Sequence, residues 1–350
     1  MCQEVSSELF QSISYSMDQL WLEILIKSVE QRAVSGIELP GFPSEQIQTT
    51  ITGSSGEQTL REAFNFYREV KYYVAEMGIE LRSNTRILDF GCGWGRVIRF
   101  FLKDVLADNL CGIDVDPEMI DLCKRLVRYG NYSVVNPMPP TEFSDESIDI
   151  VYAYSVFSHL SESVHIKWVE EFSRILRPGG ILVATIQARF FLEMLKSLRG
   201  KEHESPWYVA MANSFLGTDA ALTDYDDGKF IFSATGGGPA LPSSFYGEAF
   251  IPRAYIEQEW TKYLTLRHFV DDPNRLPQAL IVMQKPGTYC LKTHLEKLVT
   301  VLRQKDDHIH NLESLLNEKE VNLRNIYKSR GWKALLIYYK LRDKLLRWKH

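Results

Sequence analysis

The chain has 350 residues, 45% hydrophobic and 24% charged, with a net charge of −5, enough for one large domain or two smaller ones with full cores. No apolar run approaches the roughly 18 residues of a membrane span, and the start, Met1-Cys2-Gln3-Glu4, has neither the basic nor the apolar region of a secretory leader. The five cysteines (Cys2, Cys92, Cys111, Cys123 and Cys290) are scattered, odd in number and without a Cys-x-x-Cys pair, which excludes a disulfide framework or zinc ribbon and points to reduced thiols in the cytoplasm.

Residues 8–34 have helical spacing, with Leu20, Trp21, Ile24, Leu25 and Val29 on one stripe, and Leu39-Pro40-Gly41-Phe42-Pro43 breaks it. After the loop Thr52 to Gly56, a helix is expected from Glu57 to Met77, with Leu60, Phe64, Tyr67, Val70 and Val74 on one side. Ile87-Leu88-Asp89-Phe90 reads as a short strand that runs through Gly91, Gly93 and Gly95 into a helix over 95–104. Such a turn exposes backbone N–H groups at a helix start, and without Cβ atoms a ligand can approach them closely. A second strand, 109–114, ends in Asp114, about 25 residues after the turn, where an acid can take ribose hydroxyls.

Pro117 opens a helix over 117–128. Tyr132 to Asn136 is a third strand, Pro137 to Glu146 a loop, and Asp149 to Ser155 a fourth strand. A helix over 161–175 closes at Arg177-Pro178-Gly179-Gly180, and Ile181 to Ile186 is a fifth strand. This alternation predicts a parallel sheet with helices on both faces and ligands at the carboxyl ends of its strands. Residues 188–250 interrupt it with a helix (189–199) and a Gly-, Pro- and aromatic-rich loop. A long insertion at a ligand edge is usually functional. Helix 252–260 and two antiparallel strands, 263–271 and 278–285, resume the fold.

Beyond Pro286, Leu291, Leu295, Leu298, Leu302, Ile309, Leu312, Leu316, Leu323 and Ile326 follow four-three spacing, missing at Lys305 and Lys319. That is a coiled-coil seam of about five heptads, which favours homo-oligomerisation over a helix packed on the core. Residues 328–350 carry eight Lys/Arg against Asp343 alone, leaving −12 for the rest. The acidic body does not suit a nucleic-acid backbone. The tail, with Trp332, Leu335, Leu336, Tyr339, Leu345, Leu346 and Trp348, suits an anionic membrane surface; packing on a partner and a nucleic-acid contact are its other readings.

The glycine spacing is Asp-x-Gly-x-Gly-x-Gly, not the Gly-x-Gly-x-x-Gly of dinucleotide binders, which argues against an NAD-dependent dehydrogenase. With Asp114 it resembles motif I and the acidic loop of class I S-adenosylmethionine-dependent methyltransferases. Phe143 to Asp149, Ser155 to Leu160, and Trp168, Glu171 and Arg174 with Leu176 to Gly180 resemble the later motifs of that family. Tyr246 to Lys285 resembles the end of methyltransferases from bacterial glycan and small-molecule pathways, and Tyr327-x-Ser329-x-x-Trp332 a tail on surface-polysaccharide enzymes.

The resemblance implies a Rossmann-like, seven-stranded α/β sheet with an inserted cap and a C-terminal coiled-coil helix. Its segments would be 1–56 (helical lid), 57–286 (methyltransferase domain, insertion 188–250), 287–327 (coiled coil) and 328–350 (basic tail). It implies S-adenosylmethionine as cofactor, with its methionine end over Gly91, Cys92 and Gly93 and its amino group reached by Asp89. Asp114 would take the ribose, Val115 and Met119 the adenine faces, Asn136 the adenine edge, and Ser155 would face the sulfonium. Asn136 is equally a strand cap. Tyr67, Gly53 or Ser55 lining the pocket is the family expectation, against core packing for Tyr67. His159 is the candidate general base for a hydroxyl acceptor, with Glu248 and Tyr246 as alternatives and helix capping or packing as its plain role. No metal site is expected. The implied function is O-methylation of a sugar or lipid-linked glycan at the cytoplasmic membrane face; the alternatives are another small-molecule acceptor or a non-catalytic scaffold on a relic fold.

Overall fold

In the computed structural model, residues 10–14, 17–34 and 37–287 are described, together with Leu316, Lys319 and Trp332. The chain divides into two compact units, Met1–Thr288 and Tyr289–His350. Apart from those three residues, the heptad segment and the basic tail lie outside the described residues.

Seven strands of the first unit form one sheet: β1 (Ile87–Phe90), β2 (Leu110–Asp114), β3 (Asn131–Val134), β4 (Ile148–Ala153), β5 (Leu176–Ile186), β6 (Thr265–Val270) and β7 (Ala279–Gln284). Their order is β6-β7-β5-β4-β1-β2-β3. The first five strands pair in parallel, and β7 runs antiparallel to both β5 and β6. This is the Rossmann-like methyltransferase sheet that the sequence predicts. The strand order reverses between β1 and β4, which opens a crevice at their carboxyl ends.

Helices α1 (Asp18–Lys27), α2 (Glu45–Thr52), α3 (Gly56–Glu76), α4 (Pro117–Leu126), α5 (Glu162–Ile175), α6 (Arg189–Leu198), α7 (Pro206–Asn213), α8 (Asp219–Asp226) and α9 (Arg253–Glu259) complete the unit. Side chains of a strand alternate between its faces, so Ile87, Ile150 and Ile181 join one core with Leu60, Tyr67 and Phe100. Leu88, Val151 and Leu182 join the other with Phe157, Trp168 and Trp260. The insertion has a small core of its own, built from Phe191, Leu192, Leu195, Met211, Leu216, Tyr225 and Phe250.

Several elements differ from expectation. The helix over 95–104 is instead a run of turns and a 3-10 helix, Ile98–Lys103. In an α-helix the Gly95 carbonyl would accept the Arg99 backbone N–H; here Arg99 Nε takes it, at 2.9 Å. The expected helix over 8–34 is broken, with α1 preceded by a separate turn and followed by the two-residue pairing of Ala33–Val34 with Ile37–Glu38. Arg177 to Gly180, expected as a loop, lies inside β5, where the register against β4 shifts between Ile148 and Ile150. A Cβ on Gly180 would come within 2.9 Å of two carbonyl oxygens, those of Arg177 and Asp149. The insertion, expected as one helix and loop, holds three helices and a short ribbon pairing Ile231–Ser233 with Glu248–Phe250.

Tyr67 packs in the core. Its hydroxyl lies 2.7 Å from Asp104 and 3.1 Å from Asp18, with Lys71 bridging both acids. Gly53 caps the C-terminal end of α2 with φ +77°, and Ser55 is the residue before α3.

Candidate active site

The glycine turn leaves β1 in left-handed conformation, with φ of +72° at Gly91, +51° at Gly93 and +79° at Gly95. Gly91 and Cys92 both donate their N–H groups to Ile113 O, at 2.8 and 3.1 Å, which ties the turn to β2. A Cβ on Gly91 would stand 2.4 Å from Val156 Cγ2, and one on Gly95 would stand 2.6 Å from Val127 Cγ2. At Gly93 nothing lies within 4 Å of that position. Gly91 and Gly95 are therefore small so that the protein can close on itself, whereas Gly93 faces open space.

Asp114, partly exposed at the end of β2, accepts the Gly93 N–H through Oδ2 and the Asp116 N–H through Oδ1, both at 2.9 Å. Each oxygen keeps acceptor capacity for a further donor. Val115 packs on the core, and Met119 is half-buried in the first turn of α4. Asn136 is exposed and lies two residues beyond β3, outside the strand expected for it; the neighbouring Val135 N–H donates to Asp114 O at 2.9 Å and keeps that loop beside Asp114.

Asp89 is 3% exposed, and its Oδ2 has no hydrogen-bond partner. Burial pushes its pKa up to about 8, the charge of Asp114 adds to the shift, and the nearby Tyr152 hydroxyl and Arg96 oppose it. The Tyr152 hydroxyl is close enough to act on the carboxyl, yet neither atom completes a hydrogen bond to the other. A buried carboxylate oxygen without a donor is a place for one to arrive. Arg96, beside it, lies 5.0 Å over the Tyr154 ring and donates to Thr59 Oγ1 at 3.3 Å.

On the other side of the crevice, Ser155 follows β4 with φ +61°, a conformation that L side chains rarely adopt. Its N–H donates to Thr185 Oγ1 at 2.8 Å. Four residues on, the His159 ring lies against the returning strand of the insertion. Its Nδ1 is 2.9 Å from Gly247 O and 3.6 Å from Glu248 Oε1, and the ring stacks on Tyr246. The backbones pair as well, Gly247 N–H donating to His159 O and Ala249 N–H to Ser158 O, both at 2.8 Å. Burial, then the charges of Glu248 and Asp114, push the Tyr246 hydroxyl pKa upward. The same phenol thus feels both Glu248, beside His159, and Asp114, at the end of β2.

The structure thus brings the turn, Asp89 and Asp114 together, and joins His159 to Tyr246 and Glu248 as one cluster, where the sequence reading offered them as alternatives. Thr185, on β5, holds the Ser155 N–H, a partnership that sequence reasoning missed. One buried Thr in an apolar strand carries no signal until its neighbours are known. Among the described residues no group of three or more His, Cys, Asp or Glu is placed to hold a metal ion.

Residues 87–180 match a methyltransferase-domain family model. Over 106 residues, 29% of this chain, the sequence is 30% identical to 2-methyl-6-phytyl-1,4-hydroquinone methyltransferase of Synechocystis sp., covering 32% of it. Over 139 residues it is 27% identical to a tRNA N(3)-cytidine methyltransferase of Gallus gallus, covering 36% of this chain and 37% of that one. The chain thus spans about a third of the length of these curated relatives. A solved structure of a protein from Pyrococcus horikoshii OT3 is similar at a TM-score of 0.45 and 16% identity, over 70% of this chain and 100% of that one.

Residues 87–180 therefore form a methyltransferase domain. The residues present fit S-adenosylmethionine, the cofactor that the sequence resemblance implies. The open space at Gly93 admits a ligand against the backbone, the orphaned Asp89 Oδ2 suits a donor such as an ammonium, and Asp114 retains acceptors for a diol.

Proposed function

We propose that the protein methylates a hydroxyl oxygen of a sugar or lipid-linked glycan, at the cytoplasmic face of a membrane. The observation that carries the oxygen chemistry is the setting of His159. A carbonyl oxygen only accepts hydrogen bonds, so the Nδ1 facing Gly247 O carries the ring's hydrogen. That leaves the lone pair on Nε2, which makes no hydrogen bond to the described residues. Nε2 takes the proton of the acceptor hydroxyl, and the imidazolium formed lies beside the Glu248 carboxylate. S-adenosylmethionine, when bound, supplies an electrophilic methyl group. The chain positions the partners, through Gly91, Cys92 and Gly93 on one side and Ser155 to His159 on the other.

The glycan class rests on the resemblance of Tyr246 to Lys285 to enzymes of those pathways, and the membrane face on the basic, aromatic tail. The named relatives act on a hydroquinone and on a tRNA cytidine, so their acceptors differ widely. Two measurements test the reading. Calorimetry with S-adenosylhomocysteine should show binding that Asp114→Ala abolishes; no binding by the unaltered protein would end the methyltransferase assignment. Mass spectrometry of surface glycans, with and without the gene, should differ by the mass of a methyl substitution. Identical glycans beside intact cofactor binding would move the acceptor to another class.

A further inference from the structure

Three side chains from separate strand ends close a ring of hydrogen bonds at the ligand edge of the sheet. Ser155 N–H donates to Thr185 Oγ1 at 2.8 Å, and the Thr185 hydroxyl donates to Gln278 Oε1 at 2.6 Å. Gln278 Nε2 then donates to Ser155 Oγ at 3.0 Å. The directions are forced: an amide oxygen accepts only, an amide nitrogen donates only, and Thr185 has one proton to give. Thr185 is fully buried near the end of β5, and Gln278 immediately precedes β7.

What the ring holds is the conformation of Ser155. A residue with a Cβ rests at φ +61° only when its surroundings over-determine it, and here its N–H donates to Thr185 and its hydroxyl oxygen accepts from Gln278. The next residues meet the two halves of the site. Val156 packs against the bare face of Gly91, and its carbonyl accepts the His159 N–H at 2.9 Å. The Ser155 hydroxyl, receiving from Gln278, keeps its own proton for Ser158 Oγ at 3.4 Å or for a ligand.

We infer that Thr185 and Gln278 are positioning residues: their ring with Ser155 fixes the segment that presents Val156 to the glycine turn and His159 to the acceptor. The inference rests on the reading of His159 as the base. Neither residue needs to touch the cofactor or the acceptor.

The test compares Thr185→Val, which keeps shape and removes the hydroxyl, with Thr185→Ser, which keeps the hydroxyl. In the full chain with S-adenosylhomocysteine, hydrogen exchange over residues 154–160 should speed up in T185V and return to the wild-type rate in T185S. With an acceptor in hand, T185V should lower kcat by about 10- to 100-fold, shift the acid limb of the pH profile, and leave the KM for S-adenosylmethionine within about threefold. Gln278→Leu should act in the same direction. Unchanged exchange in T185V overturns the inference, as does equal loss in T185S and T185V. A wild-type protein that methylates nothing bears on the proposed function alone, since the exchange experiment still reads the ring.

Discussion

The imidazole of His159 lies nearly parallel to the ring of Tyr246, with 12° between the planes and 4.9 Å between centroids. Tyr246 also meets the glycine loop of the insertion, where a Cβ on Gly237 would come within 2.8 Å of Tyr246 Cε1. His159 is thereby held by a segment 88 residues away in the chain. Replacing His159 with Ala should lower kcat by about 10² to 10⁴ and flatten the acid limb of the pH profile, with cofactor affinity unchanged by calorimetry. Tyr246→Phe keeps the stack and should stay near wild type, while Tyr246→Ala should fall between the two. Full activity in His159→Ala would remove it as the base.

Gly91 and Gly93 differ in what surrounds them, and the difference predicts two separable phenotypes. Gly91→Ala meets Val156 at 2.4 Å and sits at φ +72°, so it combines overpacking, about 1–3 kcal/mol, with left-handed strain, about 1–2 kcal/mol. It should lower the unfolding midpoint clearly. Gly93→Ala carries the strain alone, since open space surrounds the added methyl group. Its loss of stability should be smaller, while its loss of S-adenosylhomocysteine binding should be as large, because the methyl group fills the approach to the backbone. Denaturant titration and calorimetry on both variants check this. Wild-type binding by Gly93→Ala would place the cofactor elsewhere.

His165 supplies a pH test of the fold. It is fully buried, neither ring nitrogen has a hydrogen-bond partner, and Phe230, Tyr255 and Trp260 surround it. Burial pulls its pKa down from 6.5 to about 3. Between those values the unfolded chain binds the proton and the folded chain does not. Its contribution to stability therefore falls as pH drops from 6.5 toward 3, by at most about 1.4 kcal/mol per pH unit. Asp89 acts in the opposite sense. Its carboxyl is raised from 3.8 to about 8, so its contribution is fully present below 3.8 and is lost as pH rises through 8. The test is thus a difference: in urea titrations from pH 6.5 toward acid, the wild type should lose more stability than His165→Leu. Parallel curves would mean that the imidazole titrates normally.

The succession of strands along the chain was legible because Ile87, Ile113, Ile150 and Val183 stand in apolar runs separated by helical spacing and glycine turns. The meeting of the glycine turn with Asp114 was legible as well, since the two lie close together in sequence. What could not be read depends on partners distant in the chain. Arg99 looks like one more helical residue until its side chain takes the Gly95 carbonyl. Pro206 to Asn213 is apolar nearly all round, so no stripe separates helix from loop. Thr185 and Gln278 stand 93 residues apart, and their bond exists only because β7 returns antiparallel to β5.

Asp89 gives the last test, on the cofactor itself. With a pKa of about 8, its carboxyl holds a proton near neutral pH, whereas a cationic ammonium favours the ionised form. Binding should therefore release a proton, and affinity for S-adenosylhomocysteine should rise between pH of about 6 and 8, by at most about tenfold per pH unit. Above 8 the dependence on Asp89 should vanish. Calorimetry in two buffers of different ionisation enthalpy measures the release directly. Asp89→Asn keeps the shape and cannot ionise, so its affinity should be weaker and flat across that range. A slope equal to wild type in Asp89→Asn would show that the proton leaves another group and that Oδ2 meets no cation.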